Sequence, residues 1–466
     1  MRMQLERVKN GHILDTNIKT GYTVYVNILA CGARTEERKK GKHMRILTIV
    51  FLIYAGAEVL FLLSYLPRLR FWADAFRKDK PLCNPTKEKL AVLIPSRDES
   101  PDTARPLLAS LLGQTYPREN FDVYLIVKHK DDPVIPLATD MLPGVLVRVV
   151  EGQTRKAEAL DACLKGIFAD AGHRYDAYVI VDADSFVAPD FLSELNNAAP
   201  GADIIIPRKR IKNWESSDRR CRSLCCNCSA MTYRAVDALG NKGKSRRGYV
   251  LTLCGQGMYI ADRVLRPLGG YPFRSLTEDY EVAVECMRHG YVQRYCERAE
   301  VYSEEATTHR EYNKRRKRWI AGVVSFGRTY GREMLRLTFG DGHVRRKNLQ
   351  QLFGVVPLCA IFGGHIIAFL LYLVFAVAFL ATGQMPSAYA ALVCMGIPFL
   401  TAYLELFVFA VMTLLADRDI NKMTRGEKAA YLFLSPFLTA EYIFIFFGAL
   451  FSRDNGTWEP VKRIRM

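Results

Sequence analysis

Two acidic residues two positions apart, Asp182 and Asp184 in "VDADSF", close a short apolar run in this 466-residue chain. In extended geometry alternate side chains project to the same side, so both carboxylates would face one way. Paired anionic oxygens at a strand end suit a hard divalent cation that also binds a diphosphate. A polar loop after a strand gives the same spacing. Lys156 opens a helical pattern, with Thr154 placed to cap it. A lysine beside the free N–H groups of a helix start forms an anion site, and a solvated surface lysine is the alternative. In "LTEDYEVAVECMRHGY", Thr277 is placed to cap a helix whose first turn carries Glu278 and Asp279. The helix dipole favours acids there on structural grounds alone. A carboxylate kept ionised beside an acceptor hydroxyl can also serve as a general base.

A basic run, "HREYNKRRKRWIAG", gathers Arg310, Lys314, Arg315, Arg316, Lys317 and Arg318 just before Trp319. Nucleic acid, an anionic membrane or a phosphate leaving group would each answer such a charge. Over the whole chain 65 Lys and Arg stand against 48 Asp and Glu, a net +17, which points to a polyanionic partner or an anionic surface. Nucleic acid is set aside, because neither interleaved base-stacking aromatics nor a nucleic-acid module is recognisable. The 12 cysteines do not form the framework of a short secreted chain. The cluster Cys221, Cys225, Cys226, Cys228 lacks the paired C-x-x-C spacing of a zinc site and reads as reduced thiols on a helix.

The elements that must position these residues are legible as patterns. Five apolar runs, Leu90–Pro95, Phe121–Val127, Val145–Val150, Tyr178–Asp184 and Ala202–Pro207, read as buried parallel strands. Helical patterns separate them; in "RKAEALDACLKGIF" the apolar residues Ala157, Leu160, Leu164, Ile167 and Phe168 share one face. This alternation predicts a doubly wound α/β sheet with its ligand at the carboxyl ends of the strands.

Four longer apolar runs, Ile46–Leu66, Phe353–Gly383, Ala388–Ala416 and Ala430–Phe451, reach the roughly 20 residues needed to cross a bilayer. The expectation is an integral membrane protein. Residues 1–43 form a flexible leader or a misassigned start, since Met44 directly precedes the first run. Residues 44–67 form a first transmembrane helix, and 68–352 an α/β domain with interfacial helices toward its end. Residues 353–452 make a membrane region of about three helices, and 453–466 a basic tail. With a start at Met44 only Arg45 precedes the first span, against Arg68, Arg70, Arg77, Lys78 and Lys80 after it, which places the α/β domain in the cytoplasm; with residues 1–43 in place both flanks are basic and the rule is silent. Three later spans would leave the C-terminus outside, against which Lys462, Arg463 and Arg465 speak.

The stretches "VLIPSRDE", "RKAEALD", "VDADSFVAPDF", "LCGQG", "LTEDYE" and "RRKRW" follow one another between one upstream and several downstream apolar segments. In that order and spacing the chain, from about Ile46 to Arg463, resembles the membrane-embedded family 2 glycosyltransferases. That group contains the hyaluronan, chitin-oligosaccharide, cellulose and poly-N-acetylglucosamine synthases. The resemblance implies a GT-A-type doubly wound nucleotide-sugar-binding domain inserted between transmembrane helices. It implies Asp279 as the catalytic base and Asp182 and Asp184 as ligands of Mg²⁺ or Mn²⁺ and of the nucleotide sugar. Pro95, Glu99, Lys156 and Arg318 would bind the nucleotide sugar, and Gly255, Gly257, Glu278 and Trp319 the acceptor. The implied reaction is an inverting transfer from a UDP-sugar, N-acetylglucosamine or glucose favoured, to a growing polysaccharide. The setting is a multi-pass plasma-membrane protein in contact with membrane lipids; accessory export proteins are not identified. The alternatives are a transferase adding a single sugar to a lipid-linked or glycan acceptor, and a non-catalytic basic membrane scaffold.

Three departures from the family pattern stand out. Arg315 replaces the Gln of Q-x-x-R-W, a signature associated with processive synthesis. "KHKDD" puts Lys128 and His129 where an aspartate that contacts uracil is usual. "WEPVKR" has Val461 where Thr is usual. Lys314, Arg316 and Lys317 are expected to face solvent or lipid headgroups.

Overall fold

The computed structural model describes residues 41–59, 62–63, 66, 69–170, 172, 174–339, 363–418 and 422–451. The chain divides into two compact units. One is drawn from residues up to Leu63 and from Leu358–Ala402, the other from Ser64–Pro357 and the residues from Tyr403 onward.

The larger unit is built on an eight-stranded sheet: β1 (Leu90–Pro95), β2 (Phe121–Val127), β3 (Leu146–Val149), β4 (Ala177–Ile180), β5 (Phe186–Val187), β6 (Ile204–Ile211), β7 (Met258–Ala261) and β8 (Gln293–Ser303), in the order β3-β2-β1-β4-β7-β6-β8-β5. The first four predicted strands pair in parallel. β7 is antiparallel to both β4 and β6, so β6 runs with the parallel set, and β8 pairs in parallel with β6. All five expected strands therefore exist and point the same way, but the sheet is mixed. β7 and β8 escaped the sequence reading for different reasons. "MYIA" is only four residues, and β8 carries the charges of "QRYCERAEVYS". Those charges are answered inside the unit: Glu297 pairs with Arg208 and Lys242, and Arg298 with Glu194.

The helices are α1 (Pro101–Leu112), α2 (Val134–Met141), α3 (Lys156–Ala169), α4 (Phe191–Ala198), α5 (Leu224–Arg234), α6 (Lys242–Arg246), α7 (Asp262–Leu265), α8 (Glu278–His289), α9 (His309–Phe339), α10 (His365–Ala381), α11 (Met385–Ala416) and α12 (Arg425–Phe451). Strand alternation sends Val92 and Ile94 of β1 against Leu107, Leu111, Phe191 and Leu195, and sends Ala91 and Leu93 to the other face with α3. On α3 the expected stripe is buried at Ala157, Leu160, Leu164 and Ile167, with Phe168 at its edge. A third cluster joins Trp214 and the α5 thiols Cys225, Cys226 and Cys228 to Tyr312, Ala410, Met423 and Tyr431. These cysteines are free and buried; Cys221, also free, sits in the short turn before α5 and not on it.

Among the described residues two helices, α11 with 32 residues and α12 with 27, are long and apolar enough to cross a membrane; α10, with 17, is shorter. Their starts precede the predicted ones, at Met385 and Arg425. Val393, Phe399, Phe444 and Phe451 are exposed on them, a surface suited to hydrocarbon. Residues 41–59 are helical. The rest of the first predicted span falls partly, and residues 1–40, 353–362 and the tail with Val461 fall wholly, outside the described residues.

Candidate active site

The carboxyl ends of β1 and β4 open into a cleft of about 1080 Å³, where a parallel sheet is expected to place its ligand. Pro95 ends β1 and Glu99 follows it, and Asp182 and Asp184 follow β4. Lys156 starts α3, Gly255 precedes β7, Glu278 and Asp279 start α8, and Arg318 and Trp319 ride on α9; all line this one cleft. Of the predicted site residues Gly257 alone stands apart. Its φ of +71° and its N–H bond to Ile180 O (2.7 Å) form the bend that leads into β7 beside the end of β4, where a Cβ would come within 2.8 Å of Pro207. Its need for glycine is conformational. Lys128 and His129 do not line the cleft either.

Three local expectations are corrected. β4 ends at Ile180, so Asp182 and Asp184 lie beyond the strand, where the Ser185 N–H bonds back to Asp182 O (3.0 Å). Thr154 does not cap α3; its N–H and that of Arg155 donate to Glu158 from outside the helix (2.6 and 3.2 Å). Thr277 holds the cap position of α8, but its hydroxyl is buried and unbonded. Its methyl group faces Gly322 of α9, where a Cβ would lie 2.5 Å from Thr277 Cγ2. Packing against α9, not a side-chain cap, fixes the start of α8.

Lys156 binds the acidic cluster together. Its Nζ donates to Asp182 Oδ1 (2.5 Å) and Gly255 O (2.9 Å) and lies 3.9 Å from Glu278 Oε1. Burial disfavours this ammonium, yet Asp182, Glu278 and Asp279 outweigh it and raise its pKa. Gly255 is tightly enclosed: a Cβ there would sit 3.3 Å from Glu278 Oε1 and 3.7 Å from Lys156 Nζ. Burial, with the neighbouring Glu278 charge, pushes Asp279 up to about 7. Asp279 accepts from the N–H groups of Tyr280 (3.0 Å) and Gly255 (3.3 Å), which hold the carboxyl in place. A carboxyl poised near neutrality is fitted to accept a proton from a hydroxyl. Asp182 and Asp184 are both half-buried at the cleft. Two carboxylates with open positions for phosphate oxygens make a donor set that fits a hard divalent cation.

The basic run divides by helical periodicity. Positions 310, 314 and 318, and 311, 315 and 319, turn to the cleft. Lys317 is exposed as expected, whereas Lys314 lines the cleft. Arg316 overturns its expectation most. It is 1% exposed, its guanidinium lies 3.8 Å from the Tyr312 ring and 4.4 Å from the Tyr442 ring, and none of its nitrogens has a hydrogen-bond partner. Burial lowers its pKa, and the two ring faces supply cation–π attraction instead of water.

Arg315 leads to a cluster the sequence did not announce. It donates to Glu305 Oε2 (2.7 Å) and Glu304 O (3.0 Å), with its guanidinium 5.7 Å from the Trp319 ring. Glu305, 1% exposed, also accepts from Lys209 Nζ (3.1 Å) and Ser229 Oγ (2.6 Å). Burial would raise the Glu305 pKa, but Arg315 and Lys209 prevail and hold it low. Lys209 Nζ stands 3.1 Å from the Tyr233 ring centroid, and Tyr233 meets Trp319 edge-on at 5.6 Å. One buried carboxylate thus braces the aromatic wall of the cleft from two sides. Lys209 and Glu305 are 96 residues apart, and no local motif links them.

Residues 86–322, just over half of the chain, match the family described as "Glycosyltransferase like family 2". Among solved structures, the mannosyltransferase PcManGT from Pyrobaculum calidifontis, in complex with GDP-Man and Mn²⁺, aligns at TM-score 0.51 and 16% identity over 87% of this chain and 97% of that chain. At that identity the likeness is one of fold. S. aureus TarS aligns over 65% of this chain and 54% of its own, at 13% identity and TM-score 0.33, too low to carry an argument. The search of curated proteins gave no match. The length of the family match, on a mixed α/β sheet with a GT-A-like fold, shows that the chain belongs to the glycosyltransferase-like family 2.

Proposed function

We propose that this protein is a metal-dependent, inverting hexosyltransferase acting at a membrane. The observation that carries the reading is Asp279, a half-buried carboxyl held by the N–H groups of Gly255 and Tyr280 in the same cleft as Lys156, Asp182 and Arg318, with its pKa raised to about 7. An in-line displacement needs one base. As the acceptor oxygen attacks the anomeric carbon, Asp279 takes its proton. The bond from that carbon to the diphosphate breaks, and the nucleotide diphosphate leaves with the electron pair. Lys156 and Arg318 meet the charge that develops there, and Trp319 offers a flat apolar face to the acceptor sugar. When bound by Asp182 and Asp184, Mg²⁺ or Mn²⁺ would add Lewis-acid neutralisation of the diphosphate. The PcManGT complex with Mn²⁺ supports that choice.

A UDP-sugar donor and a growing polysaccharide are supported by the motif resemblance, and the GDP-Man of PcManGT adds a guanosine donor to the candidates. A second reading, transfer of a single sugar to a lipid-linked or glycan acceptor, is favoured by Arg315 in the Gln position and its bond to Glu305. The apolar α11 and α12 support a membrane site of action. With a start at Met44 the charge flanking the first apolar run supports a cytoplasmic domain, and the motif resemblance supports a multi-pass plasma-membrane setting.

The test is an assay of the purified chain against a panel of nucleotide sugars, with and without Mg²⁺ or Mn²⁺, followed by sizing of the product. Chelation should abolish transfer and added metal restore it. Asp279→Asn should retain nucleotide-sugar binding while transfer falls by about 10²–10⁴-fold. Undiminished transfer by that variant would remove the proposed base. A single-sugar product would decide against polymer synthesis.

A further inference from the structure

We propose that Ser96 and Gln153 read the nucleobase of the donor, and that the base they select carries a ring carbonyl, as uracil and guanine do, where cytosine and adenine carry an amino group. This rests on the transferase reading of the cleft and names the class of donor.

Both side chains line the cleft and both are buried, Ser96 at 1% exposure and Gln153 at 5%. Ser96 Oγ and Gln153 Nε2 nonetheless have no hydrogen-bond partner among the described residues. Buried polar groups are almost always paired, and an unmade donor is unfavourable. Two of them on one wall of a ligand cleft point to bonds that a ligand completes. Ser96 follows the last residue of β1, and its N–H donates to Ile126 O (2.8 Å), which carries the pairing with β2 one residue further. Gln153 lies between β3 and α3. β2 stands between β1 and β3, yet Lys128 and His129, which follow it, do not line the cleft. Arg97 donates to Thr154 O. That bond joins the neighbours of the two side chains and draws the loop after β3 over the end of β1.

Sheet order says which part of a donor lies here. Asp182 and Asp184 follow β4, with β7 on one side of that strand and β1 on the other. On the β7 side Gly255 donates its N–H to Asp279 (3.3 Å). The reacting sugar must face Asp279, so the nucleoside leaves the diphosphate in the opposite direction, over β1 toward β3. Adjacent strands stand about 4.8 Å apart, and the intervals from β4 to β3 give room for a ribose and a base. Lys156, three residues after Gln153, bonds Asp182 (2.5 Å) where the diphosphate would sit.

Uracil and guanine bear an exocyclic carbonyl where cytosine and adenine bear an amino group. A carbonyl oxygen has two lone pairs, enough for the Gln153 amide N–H and the Ser96 hydroxyl together. An amino group at the same place sets donor against donor at Gln153. Leaving buried polar groups unpaired is how a hydrogen-bonding site rejects the wrong ligand.

The experiment is isothermal titration of the full chain in detergent, at fixed Mn²⁺, with UDP, GDP, CDP, ADP and inorganic diphosphate. At least one of UDP and GDP should bind about tenfold more tightly than both CDP and ADP, a difference of about 1.4 kcal/mol. Gln153→Glu keeps the shape of the side chain and replaces the N–H donor by a carboxylate oxygen, so CDP and ADP should gain on UDP and GDP by about that factor. Gln153→Leu removes the donor without adding charge. Inorganic diphosphate should bind this variant as it binds the wild type, while the four nucleotides converge. If Gln153→Glu does not fold, Gln153→Leu decides. Equal affinities of the four nucleotides for the wild type, or a wild-type preference that survives in Gln153→Leu, would overturn the proposal. Nucleotide binding without base preference rejects the base pocket alone, whereas no binding of any nucleotide rejects the transferase reading beneath it.

Discussion

At the scale of single residues, the proposed base Asp279 should set the pH dependence of transfer. Burial and the Glu278 charge hold its pKa near 7, above the ordinary 3.8. Below that value the carboxyl is protonated and cannot accept a proton, so kcat/KM should rise with pH and level off above about 7. A pH–rate profile flat from 5 to 8 would exclude it as the base. The same shift has a stability consequence of opposite sense. Between about pH 4 and 7 the folded chain holds a proton that the unfolded chain has released, so stability falls as pH rises through that window. Asp279→Asn should flatten this decline in thermal unfolding. Glu305 supplies a second residue-scale test. Glu305→Gln leaves Lys209 and Arg315 buried without their counter-charge and should cost about 3–5 kcal/mol of stability, with a raised acceptor KM as Trp319 loses its support. Arg315→Gln should cost less, because Lys209 and Ser229 still satisfy Glu305. Denaturant unfolding of the two variants reads the difference.

At the scale of elements, the fit of α8 to α9 decides where the acids stand. Gly322 lets α9 close on Thr277, the residue before Glu278 and Asp279. Gly322→Ala would gain helix propensity, yet its Cβ needs space already taken by the Thr277 methyl group. Overpacking of this kind costs about 1–3 kcal/mol, and here it would displace the turn that carries Glu278 and Asp279. Transfer should fall in the single variant and recover in Gly322→Ala/Thr277→Ser, which removes that methyl group. Failure of the second substitution to restore transfer would show that the contact is not what positions Asp279. The strand order is informative at the same scale. The apolar runs of β1, β2, β4 and β6 are legible because strands buried on both faces need continuous apolar side chains; β3 shows the same pattern although it is a half-buried edge strand. β8 was not, because Glu297, Arg298 and Glu300 find charged partners only after folding.

At the scale of the whole molecule, α11 and α12 predict that the protein partitions with membranes. Alkaline carbonate should leave it in the membrane pellet and detergent should release it; release by carbonate alone would count against spanning helices. The sequence by itself determined the family resemblance, the strand–helix alternation and the apolar runs, since each is written in the spacing of neighbouring residues. It also placed Asp182, Asp184, Lys156, Glu278, Asp279, Arg318 and Trp319 together as one candidate site, and they line one cleft. Only the tertiary structure decided that Gly257 serves a turn, that Arg316 is buried between two tyrosines, and that Arg315 is bound to Glu305. Burial and ion pairing depend on what distant segments bring to the same place. A run of six similar cations therefore carries no local mark of which will meet water, an aromatic ring or a buried carboxylate.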